Sequence, residues 1–133
     1  MNNDINIPYA VYGTLRTGHG NSRLWRDMAD AQGVGTVTGY RLVTNGGFPY
    51  ALPADELSVI EVVQPRPEHA AEVRYRLDRL EGYPSFYDRV LVDVDLNGET
   101  VRCWMYTPVQ SESYASLAAV EGNDWNQHVR AYV

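Results

Sequence analysis

The chain has one cysteine, Cys103, in 133 residues. A lone cysteine excludes an internal disulfide framework and suits a reducing compartment. The N-terminal run Met1-Asn2-Asn3-Asp4-Ile5-Asn6 lacks both a basic region and an apolar stretch, so no signal peptide is expected. No apolar segment approaches the roughly 20 residues that span a bilayer. A cytoplasmic protein with no membrane partner is therefore the expectation. Basic residues are also scarce: 11 Lys+Arg against 17 Asp+Glu give a net charge of −6. They form no cluster, which argues against a nucleic-acid partner. His19, His69 and His128 are far apart and show no helical pair spacing, so no metal is expected. There is no phosphate-binding P-loop. The run Gly18-His19-Gly20 is followed by Arg23 where a dinucleotide fingerprint needs a third glycine, so no nucleotide cofactor is expected.

What is present points to one globular domain over residues 1–133. That length buries a core without metals or disulfides, and 44% hydrophobic with 21% charged residues is ordinary for such a domain. Residues 7–12 read as a short buried strand ended by Gly13. Ser22 is placed to cap a helix running to about Gln32, with Leu24, Met28 and Ala31 on its apolar side. Residues 34–43 read as a strand, with bulges or bends expected at Gly35 and Gly39. After the turn Asn45-Gly46-Gly47, residues 48–53 read as an irregular or edge segment. Residues 57–64 are β-branched and apolar, as in a central strand. Val90, Val92, Val94 and Leu96 alternate with Leu91, Asp93 and Asp95. Asn97-Gly98 is a preferred two-residue hairpin turn, and Val101, Cys103 and Met105 alternate on the return strand. A short helix is expected near residues 113–120. The sum is an α+β domain of five or six mostly antiparallel strands and two or three helices.

One carboxylate stands out. Ala70, Val73, Leu77 and Leu80 recur at helical spacing, with Pro67 suited to the first position and Gly82 and Pro84 to the stop. At roughly 100° per residue, Glu81 falls about 60° from the centre of that apolar stripe, in the last turn. Burial and the negative end of the helix dipole both disfavour its anion and push its pKa up. A carboxyl group titrating near neutrality is what general acid/base catalysis needs. A solvated helix-end residue is the plain alternative.

The loop Tyr12-Gly13-Thr14-Leu15-Arg16 places glycine where a strand turns, and leaves backbone N–H groups free of the sheet ladder. Such groups can hold an anion or a developing oxyanion. The segment Tyr83-Pro84-Ser85-Phe86-Tyr87-Asp88-Arg89 supplies rings that could wall a pocket. Cys103, mid-strand between Val101 and Met105, reads as a small core residue rather than a nucleophile.

Taken together, these segments resemble the γ-glutamylcyclotransferase-like superfamily, especially its AIG2-like and γ-glutamylamine cyclotransferase-like members. Tyr12-Gly13-Thr14-Leu15-Arg16 is similar to that family's Tyr-Gly-(Ser/Thr)-Leu loop. Leu77-Asp78-Arg79-Leu80-Glu81, then Tyr83-Pro84 and Tyr87-Asp88-Arg89, is similar to its second signature. Phe48-Pro49, Val59-Ile60-Glu61-Val62 and Trp104-Met105-Tyr106 follow in the expected order, and Gly122-Asn123-Asp124-Trp125 is reminiscent of a Gly-Asp-Trp ending. The likeness spans roughly residues 8–108.

The resemblance implies a small mixed β-barrel flanked by helices, with a pocket at one end. It implies Glu81 as catalytic acid/base, and Tyr12, Gly13, Thr14, Leu15 and Tyr87 as substrate-binding. The implied reaction closes a γ-glutamyl amide into 5-oxoproline, releasing an amine without metal or organic cofactor. The small-molecule γ-glutamyl substrate is the one partner implied; oligomeric state stays open. Residues 45–52 and the tail after Thr107 are expected to choose the leaving amine. A non-catalytic binding or interaction module on the same fold, and hydrolysis by an Asp78/Glu81 pair, are the alternatives.

Overall fold

The computed structural model describes residues 4–131. The strands are β1 (Tyr9–Val11), β2 (Ala29–Thr44), β3 (Pro49–Pro65), β4 (Tyr87–Leu96), β5 (Glu99–Pro108) and β6 (Ala118–Ala119); the helices are α1 (Ala70–Glu81) and α2 (Trp125–Ala131). The strand order β3-β1-β5-β4-β2 closes on itself because β2 also pairs with β3. The result is a five-stranded barrel with β6 added beside β2. Every pairing is antiparallel except β1 with β5. The expected α+β class, with a mixed and mostly antiparallel barrel, is the fold observed.

Two hairpins build most of the wall, and each has its turn written locally. Between β2 and β3, Asn45 Oδ1 accepts hydrogen bonds from the Gly47 and Phe48 amides at 3.0 and 3.2 Å. Between β4 and β5, Asn97 and Gly98 both take positive φ, the primed turn that matches strand twist. A 3₁₀ turn from Pro67 leads into α1. The helix ends at Gly82, whose φ of 68° is left-handed and lets the Tyr83 amide donate back to the Asp78 carbonyl at 2.9 Å.

Strand alternation sorts the core into two layers. Ala10, Tyr12, Val37, Ile60, Cys103 and Met105 belong to one cluster, which α2 joins through Trp125. Tyr9, Val11, Val63, Trp104 and Tyr106 belong to the other, packed with Val73 and Leu77 of α1 and with Trp25. Strands β1 and β5 are thus covered on both faces, which explains why β1 is buried at every position. Cys103 is fully buried, as its alternation implied, and burial pushes its thiol up to about 12.

Three local expectations are corrected. The helix expected from Ser22 to Gln32 is instead a 3₁₀ turn over Gly20–Leu24, and the chain is already strand from Ala29. Ala29, Asp30 and Ala31 pair with Pro65, Gln64 and Val63, so the hydrogen-bonding demand of β3 overrides the helical spacing of Leu24 and Met28. The helix expected near 113–120 is a 3₁₀ turn at Ser111–Tyr114 followed by β6, which finds its partners Val43 and Thr44 on β2. Residues 49–53 continue β3 as an edge segment. There β1 offers no partner, since it reaches only Glu61, Val62 and Val63, so the missing N–H of proline is tolerated. The bulges fall at Gln32, just before Gly33, and at Gly39 rather than at Gly35 and Gly39. At Gly35 β4 comes too close for a side chain: a Cβ would collide with the Asp95 carbonyl.

No helix among the described residues is long and apolar enough to cross a membrane.

Candidate active site

The end of β1, the starts of β3 and β4 and the end of β5 meet at one end of the barrel, and the last turn of α1 lies across them. A cavity of about 530 Å³ opens there. The structure brings all six sequence-predicted site residues to it: Tyr12, Gly13, Thr14, Leu15, Glu81 and Tyr87 line the same cavity.

Glu81 arrives because α1 outruns the barrel. Val73 and Leu77 are fully buried against the strands, whereas Leu80 is 40% exposed. The apolar stripe thus ends one turn before the helix does. Leu80 and Glu81 border the cavity together instead of entering the core. Glu81 is half-buried by accessible surface because the cavity is open. The atoms packed around its carboxylate nevertheless strip it of water, and that burial raises its pKa from 4.5 to about 7. Among the described residues none donates a hydrogen bond to it. Its charge is felt by its neighbours: burial raises the pKa values of Tyr12, Tyr50 and Tyr87, and the Glu81 carboxylate adds to the rise in all three.

The loop after β1 borders the same cavity. Among the described residues no carbonyl accepts from the backbone N–H groups of Gly13, Thr14 and Leu15, whereas those of Arg16 and Asn21 donate to the Gly13 and Thr14 carbonyls at 2.9 and 3.1 Å. The loop therefore closes on itself through its carbonyls and keeps three consecutive donors free beside the cavity. Gly13 is required here by contact. A Cβ would lie 2.5 Å from Cγ and 2.9 Å from Cδ of Pro49, the residue that opens β3.

Buried polar anchors hold this loop from behind. Glu61, 7% exposed, accepts from the Thr17 amide at 2.7 Å and from the Thr17 hydroxyl at 2.6 Å. The buried Arg16 guanidinium pairs with Asp124 at 2.9 Å. Asn21 Nδ2 donates to Thr14 Oγ1 at 2.8 Å, and the Trp25 indole donates to the Leu15 carbonyl at 2.8 Å. Every residue from Thr14 to Thr17 is thereby tied to another element or to the chain beyond the loop. Such ties fix donor positions before any ligand arrives. The roles of Glu61 and Asp124 were not read from the sequence. The available signal was a charged residue, Glu61, interrupting the apolar run Val59 to Val63.

Asp78, the other carboxylate of the second motif, is held elsewhere. Its Oδ1 accepts from Arg89 Nε at 2.9 Å and from the Tyr106 hydroxyl at 2.5 Å, and it does not line the cavity. His19 meets Asn126, and His128 accepts from the Glu121 amide. No group of three potential metal ligands occurs among the described residues.

Fold and site together define a small mixed-barrel protein whose one end carries a pocket that, among the described residues, holds one carboxylate and a row of free backbone donors. The chain belongs to the gamma-glutamyl cyclotransferase, AIG2-like family, which matches residues 9–127. Among solved structures it is similar to an uncharacterized protein of Pyrococcus horikoshii, at 20% identity and a TM-score of 0.71 over 95% of this chain and 94% of that one. It is similar also to an AIG2-like protein of Mus musculus, at 24% identity and a TM-score of 0.72, over 85% of this chain and 84% of that one. The same fold recurs inside a larger protein. The allophanate hydrolase of Kluyveromyces lactis matches 96% of this chain with 22% of its own length, at 11% identity and a TM-score of 0.66. Likenesses this remote concern the fold alone. Among curated proteins none matches the sequence.

Proposed function

We propose that the protein is an amine-releasing cyclotransferase that closes a γ-glutamyl amide into 5-oxoproline, with Glu81 as general acid/base. The observation that carries this reading is the Glu81 carboxylate itself. It has no donor among the described residues, it titrates at about 7 and it shares one cavity with three free backbone N–H groups. Family membership supports the reaction class.

The chemistry needs little more. The substrate's α-amine must attack its own γ-carbonyl, forming the ring C–N bond as the bond to the leaving nitrogen breaks. The amine enters as an ammonium ion and ends as a lactam N–H, so two protons must leave it. The leaving nitrogen needs the same two to depart as an ammonium ion, and one carboxylate can relay both with no net proton consumed. Attack within one molecule is mainly a matter of holding amine and carbonyl together. The N–H groups of Gly13, Thr14 and Leu15 are suited to the oxyanion that forms on the γ-carbonyl or to the substrate's α-carboxylate. Tyr12 and Tyr87 wall the substrate in the cavity beside Glu81.

The test is mass-spectrometric detection of 5-oxoproline from γ-glutamyl amino acids, γ-glutamyl amines and γ-glutamyl-ε-lysine, with wild type and Glu81→Gln side by side. Product from wild type alone supports both reaction and base. Product from neither, together with no binding of 5-oxoproline, removes the proposal.

A further inference from the structure

Beyond the carboxylate and the loop, the cavity is bounded by aromatic rings from three separate elements. Phe48 precedes β3 and Tyr50 lies in it; Phe86 and Tyr87 follow the end of α1; Tyr114 comes from the 3₁₀ turn after β5. The rings of Tyr50 and Tyr114 are 4.4 Å apart and those of Tyr50 and Tyr87 are 6.4 Å apart, so these three form a continuous wall. At the mouth, Phe48 and Phe86 leave 52% and 72% of their surface to water. Two large apolar side chains so exposed beside one cavity are surface that a ligand would cover.

The charges of the lining add the second half of the argument. Besides tyrosine hydroxyls, its ionisable side chains among the described residues are Glu81 and Arg79. Glu81 is engaged at the reacting centre, so a second ammonium group further out along the substrate would find no carboxylate of its own among the described lining residues. The Arg79 guanidinium donates to the Tyr75 hydroxyl outside the cavity. Without a counter-anion of its own a primary ammonium would exchange its water for ring faces alone, whereas an apolar ring gains burial and stacking without giving up hydration of a charge. A cavity of about 530 Å³ lies in the range that takes a drug-sized ligand, so it has room beyond the glutamyl chain.

We infer that the wall of Tyr50, Tyr87 and Tyr114, with Phe48 and Phe86 at its mouth, is the leaving-group subsite and selects an apolar, aromatic-bearing amine over a small or cationic one. The inference rests on the cyclotransferase reading for its chemistry, but the preference of the wall is measurable separately. The probes are γ-glutamyl phenethylamide, γ-glutamyl ethylamide and γ-glutamyl putrescine. Turnover by the wild-type protein is followed as 5-oxoproline, and affinity for Glu81→Gln is followed by calorimetry.

The phenethylamide is expected to exceed both others by at least about tenfold in kcat/KM and in affinity. Phe86→Ala and Phe48→Ala, at exposed positions where truncation leaves the core intact, should bring the phenethyl-to-ethyl ratio towards one, and Tyr114→Ser should do the same. A ratio near one in wild type, or preference for putrescine, overturns the subsite. If no amide is cyclised while the phenethylamide still binds at least tenfold more tightly in a ring-dependent way, the reaction fails and the wall assignment stands. If all three bind equally, the wall assignment fails whatever the turnover.

Discussion

Asp78 and Glu81 leave the same helix three residues apart and meet opposite surroundings. Asp78 accepts from Arg89 and Tyr106, and its anion is part of the packing between α1 and the barrel. Glu81 has no such donor among the described residues, and burial lifts it to about 7. One is tied into an ion pair and a hydrogen bond that join α1 to the barrel; the other is an acid that can gain or lose a proton near neutral pH. Hydrolysis by the two acting as a pair is thus disfavoured by geometry, since Asp78 is turned away from the cavity and already engaged.

Activity should follow the charge of Glu81. With its pKa at about 7, the base form fills as pH rises through that value, so kcat/KM for 5-oxoproline release should climb between pH 6 and 8. Glu81→Gln keeps the size of the side chain and removes the titration. Loss of a general acid/base costs about 10²- to 10⁴-fold in rate. A wild-type profile flat across neutrality, or a Gln variant within threefold of wild type, would remove Glu81 from the reaction.

Stability should respond with the opposite sign to that of an ordinary ion-paired carboxylate. The folded pKa lies above the unfolded value of about 4.5, so the native state binds the proton more tightly. Below pH 4.5 the group is protonated in both states and costs nothing. As pH rises from there to about 7 the folded protein loses stability through this group, and above 7 the loss is complete. Glu81→Gln should therefore be more stable than wild type at pH 8, by on the order of 1 to 3 kcal/mol after allowing for the open side of the cavity. The gain should vanish at pH 4. Urea unfolding at the two pH values measures it, and a destabilised Gln variant at pH 8 would contradict the burial argument.

At Asp78 the same exchange should do the reverse. Asp78→Asn keeps the shape but removes the charge facing the Arg89 guanidinium, whose side chain is 7% exposed. Breaking such a pair from one side destabilises by about 3 kcal/mol. Tyr106→Phe deletes only the hydroxyl and should cost about 1 kcal/mol. If Asp78→Asn proved neutral in denaturation while abolishing turnover, Asp78 would belong to the chemistry and not to the packing.

Much of this was legible in the chain because the informative signals are short-range. The Gly82 stop, the Asn97-Gly98 turn and the alternation of Val101, Cys103 and Met105 each depend on a few adjacent residues, and each appears where the spacing puts it. The angular position of Glu81 was also local, although it leads to a cavity wall rather than to the core because α1 extends past the strands. What failed was decided at long range. Residues 29–32 look helical in isolation and become strand because β3 lies alongside. Residues 118–119 pair because β2 presents Val43 and Thr44. The aromatic wall likewise draws Tyr50 and Tyr114 from positions 64 residues apart, which no periodicity connects. Glu61 behind the loop could be noticed as a charge in an apolar strand, but its partner Thr17 could not be named.

The contact between Gly13 and Pro49 offers a test of whether the loop's position matters apart from its composition. Gly13→Ala should push the loop away from β3, because the added methyl would sit 2.5 Å from Pro49 Cγ and 2.9 Å from Cδ. Overpacking of this kind costs about 1 to 3 kcal/mol. It would also displace the three free N–H groups relative to Glu81, so turnover should fall more than stability alone explains. Pro49→Ala removes both clashing atoms and keeps a Cβ at 4.0 Å, an ordinary contact. The double variant should therefore recover activity that Gly13→Ala loses, measured as 5-oxoproline formed per folded molecule. If the double variant stays as impaired as the single one, Gly13 serves through its backbone conformation or through direct approach to substrate, and the packing against Pro49 is not what positions the loop.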